Sequence, residues 1–165
     1  MVYIVISPSV WQLSKTIWTY SNSSSLIRTV VQTFQAGMAE SLFHYAAETG
    51  QLHIVKYLIN EQGCDPSCLD RNKETPLHRA ANNGHLDIVK FLTLEKHCNS
   101  NQRTIHSNTP LHHAARNGHL QVVQFFVEKL KSPPNFTNKH DMTPRQCAVA
   151  RGHPNVALYL FEHSS

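Results

Sequence analysis

Long apolar runs are missing from this chain of 165 residues. Neither Met1–Ile6, which stops at Ser7-Pro8, nor any later run approaches the ~20 apolar residues that span a bilayer. No basic stretch precedes Met1–Ile6 as a secretory signal requires, and residues 1–39 hold only Lys15 and Arg28, too few cations for an import leader. Those 39 residues also contain no acid. Cysteine is sparse, and Cys64, Cys68, Cys98 and Cys147 are spaced neither as a small secreted disulfide framework nor as CxxC zinc ligands. Reduced thiols are therefore expected. Phosphate-binding glycine loops, HExxH and the nucleophile elbow are all absent, so no enzyme motif is present.

What remains has the composition of one folded domain, with 41% hydrophobic and 16% charged residues. The net charge of +4 and pI near 9.0 point at first to an anionic partner. Beyond residue 39, however, 13 bases face 11 acids, too even a balance for a nucleic-acid surface, which needs a basic stripe to displace counterions.

Self-similarity supplies the architecture. SLFHYAAETGQLHIVKYL from Ser41, TPLHRAANNGHLDIVKFL from Thr75, TPLHHAARNGHLQVVQFF from Thr109 and TPRQCAVARGHPNVALYL from Thr143 start 34 residues apart each time. In the third copy, Thr109 can cap a helix and Pro110 fits its first position, where no N–H is needed. Leu111, Ala114 and Ala115 make one apolar face, and the small alanines allow helices to approach closely. Gly118 can take the left-handed conformation that ends the helix. A second helix follows, with Leu120, Val123 and Val127 on one side and Gln121, Gln124 and Glu128 on the wet side. Helices this short are marginal alone, so each unit must bury its face on the next.

The Thr-Pro-Leu-His-x-Ala pattern resembles the ankyrin repeat over residues 41–163. The resemblance implies an all-α solenoid of helix-turn-helix units with β-turn fingers at 65–74, 99–108 and 133–142. The expected organisation is a leader at 1–22, a capping helix at 23–39 and repeats at 41–74, 75–108, 109–142 and 143–165. The capping helix is drawn from Leu26, Val30 and Phe34, with serines before them and Gly37 after. Ser41 is expected to cap the first repeat. The residue beyond a 33-residue period is placed at the end of the second helix, as in Asn60–Gly63. The family often carries glycine near the fingertip, where this chain has Lys73, Ser107 and Asp141; Asn72 is the neighbour expected to turn left-handed. Arg145, Gln146 and Pro154 break the pattern in the last copy and imply a more polar outer face.

Six of the 12 histidines recur with the architectural period: His44, His78 and His112, then His85, His119 and His153. Such residues belong first to the scaffold, and in the family they bond the threonine hydroxyl and turn backbone. His113 sits in a variable column and is the one expected to face a partner. No metal, cofactor or catalytic residue is assigned, and the resemblance implies a non-catalytic protein-binding module. Candidate contacts are Arg71, Asn72, Lys73, Arg103, Ile105, His106 and Lys139 on the fingers. On the first helices and their ends they are Arg79, Asn82, Asn83, His113, Arg116, Asn117 and Arg151. This set tilts basic, so a protein partner with an acidic or amide-rich surface is expected, anchored by Arg79 and Arg116. A monomer in the cytoplasm, with the nucleus as alternative, is the expected setting. Two other functions stay open: a regulatory or substrate-recruiting subunit of an enzyme, and a metal- or redox-responsive protein using Cys64, Cys68 and Cys98.

Overall fold

The computed structural model describes residues 36–163, which form eight helices and no strand. They are α1 Ala36–Glu48, α2 Leu52–Asn60, α3 Pro76–Asn82, α4 Leu86–Lys90, α5 Pro110–Arg116, α6 Leu120–Gln124, α7 Pro144–Ala150 and α8 Pro154–Glu162. The expected leader at 1–22 and most of the helix expected at 23–39 lie outside the described residues. At the edge of that region the structure departs from expectation, because α1 runs through Gly37 and Ser41 without ending or restarting. Ser41 is thus inside a helix and not at its start.

α3, α5 and α7 begin alike because Thr-Pro dictates it. Thr75, Thr109 and Thr143 are extended, the proline follows at the first helical position, and a side chain three residues on returns to the threonine N–H. That side chain is Gln146 in the last repeat, whose Oε1 accepts from Thr143 N–H at 2.8 Å. In the repeats before it, His78 Nδ1 and His112 Nδ1 accept the equivalent bond at 3.1 and 3.2 Å. The glycines after the helices, Gly50, Gly84, Gly118 and Gly152, have φ of 76–77°. The core follows the repeated columns: Leu77, Ala80 and Ala81 in α3 and Ala114 in α5 are wholly buried, as are Val89, Leu92, Val123 and Phe126 in the second layer. Each large apolar side chain so buried stabilises the stack by roughly 1.5–3 kcal/mol.

The thirty-fourth residue is absorbed at the end of the second helix. α4 and α6 continue as π-helical turns over Phe91–Glu95 and Phe125–Lys129, and a π turn holds one more residue than an α turn. Lys96 and Leu130 donate to carbonyls five residues back, as Gln62 does to Tyr57. Gly63, His97 and Lys131 then turn left-handed, one at each such end.

The fingers are tight hairpins. Asp70 N–H donates to Glu74 O at 2.9 Å and Lys73 N–H to Asp70 O at 3.0 Å, and the pattern recurs at Thr104–Asn108 and Asn138–Met142. A three-residue loop of this kind places its left-handed residue after the turn. The positive φ accordingly falls on Lys73, Ser107 and Asp141, and not on Asn72. Side chains at the finger base tie the loop closed: Asp70 Oδ1 accepts from the N–H of Asn72 and Glu74 at 2.7 and 2.9 Å. Thr104 and Asn138 do the same in their fingers. Neighbouring fingers join by Ile105 N–H to Asn72 O at 2.9 Å and Lys139 N–H to His106 O at 3.0 Å.

The outer face of the last repeat is less polar than its sequence suggests. Val149 and Phe161 are 61% and 59% exposed, because they occupy columns that neighbouring repeats cover elsewhere. The Arg145 guanidinium lies 4.6 Å from the centre of the Phe161 ring and shields part of it.

Candidate functional site

The periodic histidines act as struts between repeats. His78 Nδ1 is committed to the Thr75 N–H, so its proton sits on Nε2, which donates to Gln102 O at 3.0 Å. His112 bonds Met142 O in the same way at 3.2 Å, and His44 Nε2 lies 2.9 Å from Glu74 O. Burial pushes His78 and His112 down to about 4, which keeps both neutral. In the second column, His85 and His119 donate from Nε2 to Glu48 O and Asn82 O, both at 2.9 Å. Their rings fill the space above the glycine of the preceding repeat, Gly50 and Gly84. A Cβ on Gly84 would stand 2.5 Å from His119 Nδ1, and one on Gly118 would stand 2.5 Å from His153 Nδ1. Glycine is needed there both for φ and for room.

Among the candidate contacts, Arg79 is already engaged. Its Nη2 meets Asp70 Oδ2 at 2.8 Å, and its Nη1 is 3.7 Å from Glu48 Oε2. Its Nε is 3.0 Å from Glu74 Oε2, close but out of line for a hydrogen bond. Burial pushes the Asp70 carboxyl up, yet the bond from Arg79 and the backbone N–H groups outweigh it and hold the group below its ordinary value. For Glu74 burial prevails over the attraction of Arg79, and its carboxyl is raised. Arg79 is therefore a clamp on its own fold rather than the anchor expected from sequence.

His113 also departs from expectation. Only 13% of its side chain is exposed, its Nδ1 meets Asn82 Oδ1 at 3.2 Å, and its ring stands edge-on to His78. Burial and the neighbouring histidines push it down to about 3. Asn82 is likewise consumed, accepting from Asn117 Nδ2 at its backbone and side-chain oxygens. Asn83 donates to Arg79 O, and the Arg103 guanidinium lies over Phe136. Ile105 is half-buried.

Arg71, Asn72, Lys73, His106, Arg116, Asn117, Lys139 and Arg151 are exposed. Three of these, His106, Arg116 and Arg151, come together with the half-buried His113 at the last two fingers. A cleft of about 380 Å³ opens between the fingers carrying His106 and His140, beside α5 and α7. Met142, Cys147 and Ala150 contribute its apolar lining, Arg116 and Arg151 its cations, and no carboxylate lines it. Among the described residues neither arginine has an ion-pair partner. Sequence inspection missed His140, Met142 and the cleft itself, although their 34-residue offsets from His106 and Asn108 could have placed them on adjacent fingers.

The four cysteines sit in surroundings that disfavour the thiolate. All four are free, and burial raises each of them, Cys68 to about 12. Among the described residues no three His, Cys, Asp or Glu side chains converge as metal ligands. No helix there is long and apolar enough to cross a membrane. Comparison with known families matches residues 19–104 and 94–165 to the model for ankyrin repeats (3 copies). No curated protein matches the chain.

Proposed function

The chain belongs to the ankyrin-repeat family, and on that premise we propose that it is a non-catalytic module that recognises another protein through its fingers and first helices. Ankyrin repeats in general mediate protein–protein contacts and are in general non-catalytic. One observation carries the proposal for this chain: the periodic polar residues are spent on the scaffold, while exposed, unspent ones gather on one face. His78, His112, His119 and Asn82 have their partners within the stack. Arg71 and Lys73 on one fingertip, Lys139 on another, and Arg116 and Arg151 at the helix ends are exposed.

A face ordered before binding loses little entropy on association, which favours affinity at a standard interface of about 800 Å² per side. Its excess of arginine and lysine suits an acidic or amide-rich partner surface. Free thiols held protonated suit the reducing cytoplasm or nucleus, where we place the protein.

The test is hydrogen exchange on the full chain with and without a partner isolated by crosslinking. Protection is expected at residues 71–73, 105–106, 139–140 and 113–117. Protection confined to the second-helix surface at Lys56, Lys90 and Glu128 would overturn the assignment.

A further inference from the structure

The cleft between the last two fingers has a chemistry that the rest of the binding face lacks. Residues 41–108 hold seven bases and seven acids, whereas residues 109–165 hold six bases and three acids. In the first half, Asp70, Glu74 and Glu48 surround the helix-borne cation Arg79. In the second half, Arg116 and Arg151 flank an acid-free cleft and have no ion-pair partner among the described residues. Arg116 is the last residue of α5 and Arg151 caps α7 in the next repeat, and adjacent packed helices lie roughly 10 Å apart. A peptide extended as polyproline II has three residues per turn and advances about 3.1 Å per residue, so side chains three positions apart share one face and match that interval. Met142, Cys147 and Ala150 supply the apolar part of the cleft's lining.

We propose that this cleft binds an extended acidic segment of the protein partner, with two carboxylates three residues apart on Arg116 and Arg151 and a small apolar residue between them. The proposal rests on the protein-binding function inferred above and narrows it to one site. Guanidinium groups suit it because their planar fork pairs with carboxylate oxygens two at a time. A volume of about 380 Å³ accommodates side chains and not a folded domain.

The test uses the isotope-labelled full chain titrated by NMR with an acetylated, amidated Gly-Glu-Ala-Ser-Glu-Gly peptide. Parallel titrations use its Gln-for-Glu counterpart and inorganic phosphate. The expected result is shifts centred on Arg116, Arg151, His106 and His140 with the Glu peptide and at least about tenfold weaker binding of the Gln peptide, the equivalent of one lost charge-assisted contact. Arg116→Glu/Arg151→Glu should abolish the shifts, and the charge-matched Lys129→Glu/Lys131→Glu should retain them. Equal response to both peptides, shifts centred on Arg71 and Lys73, or phosphate binding as tightly as the Glu peptide would each overturn the proposal. The isolated partner separates the two levels: capture by the intact chain that survives Arg116→Glu/Arg151→Glu removes the cleft alone. Hydrogen-exchange protection on the second-helix surface removes the wider function with it.

Discussion

Arg79 and Arg116 stand in the first helices of adjacent repeats and meet opposite fates. Arg79 is enclosed by Asp70, Glu74 and Glu48, while Arg116 has no ion-pair partner among the described residues. The difference extends beyond the arginines. The inner repeats brace one another through His78 and His112, whereas Gln146 in the last repeat reproduces only the local half of that network. The inner Gly84 is covered by the His119 ring, while Gly152 has open space above it. A repeat column fixes where a side chain stands, and the neighbours decide whether it remains available to bind.

The largest effect that sharpens this contrast is acid sensitivity. His78 and His112 are neutral in the fold and pushed down to about 4, while the unfolded chain takes up the same protons near pH 6.5. Their stabilisation is complete above about pH 6.5 and is lost as the pH falls toward 4. Between pH 7 and pH 5 each should remove about 2 kcal/mol. His112→Gln copies Gln146, keeping the Thr109 cap but losing the bond to Met142 O, at about 1 kcal/mol near neutrality. It should halve the acid loss due to the pair. Urea midpoints at both pH values measure this, and an undiminished pH dependence in the variant would break the link to these histidines.

Next in size is Gly84→Ala. Left-handed strain of about 1–2 kcal/mol adds to displacement of the His119 ring and its bond, about 1 kcal/mol. Gly152→Ala should show the strain alone, since nothing lies within 4 Å of its Cβ position. Equal urea midpoints for the two variants would show that the ring gives way freely. The smallest effect is at the arginines. Arg79→Met leaves Asp70 and Glu74 half-buried without their cation and should cost about 1–2 kcal/mol after allowance for its partial exposure. Arg116→Met should stay within about 0.5 kcal/mol. A stability loss at Arg116 as large as at Arg79 would erase the distinction between clamp and free cation.

The fold was legible because its signals are local and periodic: Thr-Pro at helix starts, paired alanines, glycine at helix ends, and a spare residue where the π turns form. What escaped depends on register or on distance. Choosing between Asn72 and Lys73 as the left-handed residue required knowing that the hairpin closes on Asp70–Glu74. Ser41 looks like a cap only if a helix begins there, and α1 begins before it. The enclosure of Arg79 joins residues from Glu48 to Glu74, which share a site only once two repeats are stacked. Arg116 and Arg151 were both on the candidate surface, but the cleft uniting them depends on two fingers whose spacing no single repeat contains.

The backbone rungs from Ile105 to Asn72 and from Lys139 to His106 turn three exposed loops into a ribbon. Amides that would exchange within moments on separate loops should be slow at Ile105 and Lys139. A partner gripping one fingertip would meet the mechanical resistance of all three.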